Sequence, residues 1–432
     1  MKIYSSVVSG SLKVHGDITA ETYITKTNLT QFTQSFSSGS TKFGDSGDDT
    51  HQFTGSLFIS GSSISVGDGN NNVVLGNNVN LNVGASTYST YIGYQAAGGN
   101  EGTAIGGQQI TVVGWGAGQR MQQNPHRTTL IGSLAGANLN VGLDNTFVGS
   151  DAGFTLTAAD RNVFVGSGAG YQTVDVDNAV IIGYRAGYSN MTSAADGTIA
   201  IGYEASYALT SGANQVSIGY QAGKALTTAA NSTFIGYQAG LEHTGGNNIA
   251  IGDRAFYSTN AGSNSLASTK NVAIGNRALA GTLSDAQVDG TVALGYYALG
   301  DATMGGIDYN IAIGMESQQA NAGGQNVAIG YATLKVADGG ETGNVAIGTS
   351  TMDAVNNDGS DYNVAVGNYS LRGGTGALVR NIAIGHQSMD GTGAVDGSDN
   401  IFMGYQAGSG TWTTAASTKN VAIGNYAMDA AL

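Results

Sequence analysis

The sequence has no cysteine, one proline in 432 residues, and only 16 Lys and Arg against 30 Asp and Glu. Without cysteine there is no disulfide framework and no thiolate metal site, so packing and hydrogen bonding must hold the fold. The net charge of −14, with basic residues scattered singly, excludes a nucleic-acid binder, because phosphate neutralisation needs clustered Lys and Arg. No stretch forms a basic amphipathic helix suited to an anionic membrane surface. No apolar run approaches the roughly 18 residues of a membrane span. The stretch Met1 to Asp17 has no apolar run long enough for a signal peptide, so synthesis and assembly in a cytoplasm, without membrane insertion, is expected.

Glutamate is scarce as well: Glu21, Glu101, Glu204, Glu242, Glu316 and Glu341 are all there are, and none recurs with a partner at a fixed spacing. A polysaccharide-cleaving site needs an acid and a base or nucleophile held close together, so no catalytic residue is assigned. The five histidines, His15, His51, His126, His243 and His386, are isolated and do not suggest a metal site. Asp175 with Asp177, and Asp353, Asp358 and Asp361, lack the spacing of a calcium loop and read as solvated turn residues. Gly114 to Gly118 looks like a phosphate loop, but no helix follows it. No cofactor is expected.

What is abundant is glycine, 69 residues, together with 21 tyrosines and 41% hydrophobic residues. Glycine has no three-residue period, which excludes collagen, and the apolar content is too high for simple disorder. The phrase Asn-Val-Ala-Ile-Gly occurs at Asn271–Gly275, Asn326–Gly330, Asn344–Gly348 and Asn420–Gly424, with near variants at Asn248–Gly252, Asn310–Gly314 and Asn381–Gly385. Aligned on its glycine, about 20 copies run from Gly76 to Gly424 at a mean spacing of roughly 18 residues, the length of one solenoid coil.

The expected fold is therefore all-β: a parallel β-roll solenoid of about 20 coils over residues 67–432, a rod roughly 95 Å long. In each coil Val-Ala-Ile alternates with period two, which predicts Val and Ile inside and Ala outside. The recurring glycine, as at Gly93, Gly183, Gly236, Gly275, Gly330, Gly348 and Gly424, then permits a turn or a close backbone approach, after which Tyr-Gln-Ala begins a second strand. Small residues at Ala250, Ala273, Ala293, Ala312, Ala328, Ala346, Ala365, Ala383 and Ala422 form a stripe that predicts close packing against further copies of the chain.

The asparagine that opens many copies is expected to stack as a ladder completing turn hydrogen bonds. A second column through Tyr94, Trp115, Tyr184, Tyr203, Tyr220, Tyr237, Tyr296, Tyr331 and Tyr405 is expected to stack too, its ring faces a possible platform for sugars. The loops Tyr257–Lys270, Ala280–Gly290, Leu299–Tyr309 and Met352–Tyr362 are the most individual parts of the chain and the places where a specific partner would be recognised. A solenoid end needs covering, so either a partner caps the coils at Asn420–Leu432 or the tip of a trimer tolerates exposure.

Residues 1–66 lack the repeat and show short alternating strands broken by Gly and Ser, which places them in an attachment or shaft segment. The Val-Ala-Ile-Gly copies resemble the head repeats of trimeric autotransporter adhesins, whose β-roll carries a Ser-Val-Ala-Ile-Gly phrase in each coil. The phrases Gly10–Glu21 and Gly44–Leu57 look like segments of tail-fibre proteins of tailed bacteriophages. Together these resemblances imply a homotrimeric virion fibre. Its N-terminus would dock on other tail or baseplate proteins, and its distal part would meet a host surface polysaccharide or protein receptor. A non-adhesive spacer capped by a separate tip protein, or a polysaccharide-degrading tailspike, are the other roles compatible with that family.

Overall fold

A tripeptide with β-branched ends, bounded by a polar residue and a glycine, makes only a very short strand, and such strands persist only when stacked on others. The computed structural model shows that stacking. It describes residues 72–430 apart from 77–78, 80–85, 99–106, 122–124, 258–266, 282–287, 302–306, 321–322, 337–339, 356, 358, 411 and 413–415. The attachment segment expected over 1–66 lies outside the described residues, as do most of two of the four individual loops, 257–270 and 280–290, and part of the other two.

Twenty three-residue strands, from Val73–Leu75 to Val421–Ile423, form one parallel sheet. The register never slips: Ala250 opposes Ala273, which opposes Ala293, and Val345 opposes Val364, which opposes Ile382. One coil of chain separates successive strands, so the chain is a parallel β-solenoid, roughly 90 Å from first strand to last at about 4.8 Å per rung. Three two-residue strands, Leu378–Val379, Gly397–Ser398 and Ser417–Thr418, stack as a second sheet.

The expected second strand in each coil is instead a succession of turns. The second and fourth residues after the glycine take positive φ, as at Gln221 (54°) and Gly223 (55°) or Arg277 (52°) and Leu279 (53°). These residues point successive N–H groups along the axis in opposite senses. Gln221 N donates to Tyr203 O of the preceding coil at 2.8 Å, and Gly223 N to Ala239 O of the following coil at 2.9 Å. The turn thus stays bonded to both neighbours without being extended.

The strand faces are also the reverse of the expectation. Ala250, Ala273, Ala293, Ala312, Ala328, Ala346, Ala365 and Ala383 are fully buried and Ala422 nearly so, all inside the coil, while the flanking Val and Ile face outward. These alanines therefore cannot be a stripe between chains. The physical reason is space: the residue four after the glycine also points inward and competes for the same volume. Where the strand centre is Phe164, Phe234 or Phe402, that residue is Gly170, Gly240 or Gly408; where the centre is Ala273, Ala293, Ala346 or Ala383, it is Leu279, Leu299, Met352 or Met389. A Cβ on Gly170 would stand 2.5 Å from the Phe164 ring, and one on Gly240 2.7 Å from Phe234. The left-handed backbone costs a residue such as Leu279 about 1 kcal/mol or more. Burying its side chain returns roughly 1.5–3 kcal/mol.

From Asn310 to Asn420 the opening asparagines form an unbroken ladder, buried except at its last member, whereas in earlier coils Ala179, Thr198, Gln215, Ser232 and Thr291 also take the position. Asn344 Oδ1 accepts from Asn363 N (2.9 Å) and Nδ2 (3.0 Å), and Asn363 Oδ1 accepts in the same way from Asn381 (2.9 and 3.1 Å). Asn381 repeats this toward Asn400, and Asn400 toward Asn420. Each amide satisfies a main-chain N–H of the next coil that the buried turn would otherwise leave without a partner.

Candidate functional site

The outward residues of the strands make two adjacent columns of Val, Ile, Leu and Thr that continue from rung to rung. Leu294 is 41% exposed and Ile329, Ile347 and Ile384 are 36–37% exposed. Two columns about 7 Å apart over roughly 90 Å give an apolar strip on the order of 600 Å². Soluble monomers rarely expose a contiguous patch larger than this.

Beyond the strand-ending glycine the surface changes character. The residue after it is Tyr184, Tyr203, Tyr220 and Tyr237 in four successive coils, and these rings stack at 5.5, 4.9 and 5.2 Å between centroids. A second ladder, which sequence reading missed, runs beside it: Phe154, Tyr171, Tyr188 and Tyr207, stacked at 5.2, 5.1 and 5.2 Å. Its signal was the 17-residue spacing of Phe154, Tyr171 and Tyr188. Within both ladders the ring faces cover one another and leave edges and hydroxyls outward, so these rings stack as expected and offer no row of sugar platforms. Within these two ladders a free face remains only at an end, while Trp115, Tyr296 and Tyr331, expected in the same column, lie outside both ladders and are exposed.

Between the ladders runs a polar column. Gln221 Nε2 donates to Glu204 Oε2 (3.0 Å), Gln238 Nε2 to Gln221 Oε1 (3.1 Å), and Arg254 Nε to Gln238 Oε1 (3.4 Å). Partial burial works against ionisation of Glu204, but the Lys224 ammonium at 2.7 Å and the Gln221 amide hold its carboxyl below the usual range. This carboxylate is committed to structure.

Of the aspartates weighed as calcium ligands, Asp177 and Asp361 are acceptors between coils, and burial pushes the Asp353 carboxyl up from its ordinary value. Asp177 Oδ1 accepts Asp160 N at 2.7 Å and Asp361 Oδ1 accepts Thr342 N at 2.8 Å, while Asp358 lies outside the described residues. Among the described residues no three His, Cys, Asp or Glu side chains gather as a metal group, and no helix is long and apolar enough to cross a membrane. The Gly114–Gly118 turn is an ordinary coil turn, with Gly116 N donating to Tyr94 O and Gly118 N to Ala135 O.

One buried polar side chain stands apart. His243 takes the inward position that Leu139, Leu156, Leu209 and Leu226 occupy in other coils, fully buried with its ring 3.6 Å from that of Phe256. Neither ring nitrogen has a hydrogen-bond partner among the described residues, and desolvation pushes its pKa down to about 3. The unfolded chain protonates this histidine below its ordinary value of 6.5 while the folded chain does not, so stability is complete above that pH and is lost as pH falls toward 3. The expected loss between pH 7 and 5 is about 2 kcal/mol. Urea unfolding at the two pH values measures it, and His243→Leu should remove this contribution to the pH slope; an unchanged slope in the variant would contradict the assignment.

The architecture makes the chain a parallel β-solenoid. Comparison with protein-family models finds no match, and comparison with curated proteins finds none.

Proposed function

We propose that this chain is the subunit of a non-enzymatic, homotrimeric virion tail fibre that projects from the particle and adheres to the host cell surface. The observation that carries the reading is the outward Val/Ile strip. Its side chains repeat at about 4.8 Å along the axis. A partner that covers it along its whole length must repeat at the same pitch, and a parallel copy of the same chain does so without any further adjustment. Three copies with their strips turned to a common axis bury this apolar surface and leave the tyrosine and glutamine ladders outward. The resemblance of Gly10–Glu21 and Gly44–Leu57 to tail-fibre segments supports docking on tail or baseplate proteins through the N-terminus. Many shallow contacts, repeated on three chains, provide adhesion through avidity. The test is saturable binding of labelled full-length protein to intact cells of the bacterium that yields the virion, displaced by unlabelled protein. Absence of such binding, with the protein folded, would contradict the adhesive role.

A further inference from the structure

The Tyr184–Tyr237 ladder ends abruptly on the side of Ser167, and the polar column beside it also loses a side chain there, at Gly168. The result is a notch one rung deep, a cavity of about 240 Å³. Its floor is Ser167 and Gly168, its end walls are Asp151 one rung before and Arg185 one rung after, and the Tyr188 side of the second ladder flanks it. Arg185 leans over Gly168, where a Cβ would lie 3.5 Å from its Cγ. Its guanidinium carbon lies 5.2 Å from the Tyr184 ring centre and 5.3 Å from that of Tyr188. Arg185 forms no ion pair among the described residues, so its planar fork is held by two rings with donors to spare. In a larger depression lined by Asp160 and Asp177 both carboxylates accept main-chain N–H groups and lie within 4 Å of Arg161, whereas Asp151 accepts the hydroxyl of its neighbour Ser150 at 2.9 Å and has no ion pair among the described residues.

We propose that this notch binds one neutral pyranose ring of a host surface polysaccharide, a reading that rests on the adhesive role above and names its ligand class. Asp151 and Arg185 stand two rungs apart, roughly 10 Å between main chains, which leaves room for one sugar ring between their side chains. The carboxylate accepts from hydroxyls and the guanidinium donates to ring or hydroxyl oxygens, while the ladder-ending Tyr184 and the ring edge of Tyr188 flank the sugar. An acidic sugar would be attracted by Arg185 but repelled by Asp151, so the pairing selects a neutral one. A single notch is shallow and its affinity weak; three chains present three of them.

The test is saturation-transfer NMR of the full-length protein with the methyl glycosides of glucose, galactose, mannose and N-acetylglucosamine. Gly168→Gln fills the notch with the side chain that later coils carry at the equivalent positions, Gln221 and Gln238, at similar φ, so the fold is kept. At least one glycoside should receive saturation, and its affinity should fall tenfold or more in the variant with the thermal midpoint unchanged. No transfer to any of the four, or transfer undiminished in the variant, overturns the proposal. Cell binding by both forms alike would leave the adhesive role standing while removing the notch from it.

Discussion

Gly149→Ala should destabilise the solenoid by more than about 4 kcal/mol, a range reached by few single substitutions. Gly149 has φ +140°, where L-residues have no comfortable basin, and an added Cβ would lie 2.5 Å from the carbonyl oxygen of Gly166 and 2.6 Å from its carbon. Both are main-chain atoms, so no side chain can swing aside. Gly166 is itself stacked in the same way on Gly183, so the displacement cannot be absorbed one rung further on. The damage should therefore open the coils around the substitution, and in a solenoid the two flanks then unfold as separate units. Gly393→Ala is the control: its φ is +61° and nothing lies within 4 Å of the added Cβ, so it should cost about 1 kcal/mol. Urea unfolding followed by circular dichroism distinguishes the two, and similar midpoints for both variants would mean that the glycine column is not what sets the coil spacing.

The second large effect belongs to the outward strip. Replacing Ile201, Ile251, Ile313 and Ile347 with lysine should leave each chain folded but reduce the proposed trimer to single chains. All four side chains are already partly exposed on the isolated coil, so the single chain can place an ammonium there in water. In the assembly the same groups would be buried without partners, at several kcal/mol each. Set against this, burying about 600 Å² of strip yields on the order of 15 kcal/mol per chain before the cost of association. Four charges spread along the strip consume most of it. An unchanged circular dichroism spectrum with a one-chain mass is the expected pair of results; an intact oligomer would place the interface on another face.

The period was legible because the strand-ending glycine is one of the positions that no other residue can fill, so it repeats even where the rest of the coil drifts. The facing of the strands was not legible from alternation alone, since a three-residue strand has two faces and nothing in Val-Ala-Ile says which is enclosed. The exchange of size between strand centre and turn does say it: Phe164 with Gly170, and Ala273 with Leu279, compensate only if both point into the same space. The second strand was misread because Leu279 and Arg277 are held at positive φ by hydrogen bonds to both neighbouring coils, a constraint of the stack that outweighs their local preference. The Asn ladder and the stacked run Tyr184–Tyr237 follow from repetition at one rung spacing. The notch does not, for it is made of what Ser167 and Gly168 lack, and in sequence they look like ordinary linker.

The molar mass of the full-length protein in solution, by light scattering after size-exclusion chromatography, tests the central claim most directly. Three chains are predicted at all accessible concentrations, because the strip is continuous along twenty rungs. A single-chain mass for folded protein would contradict it, and would mean that the Val/Ile face stays open to water or is covered by something other than a copy of this chain.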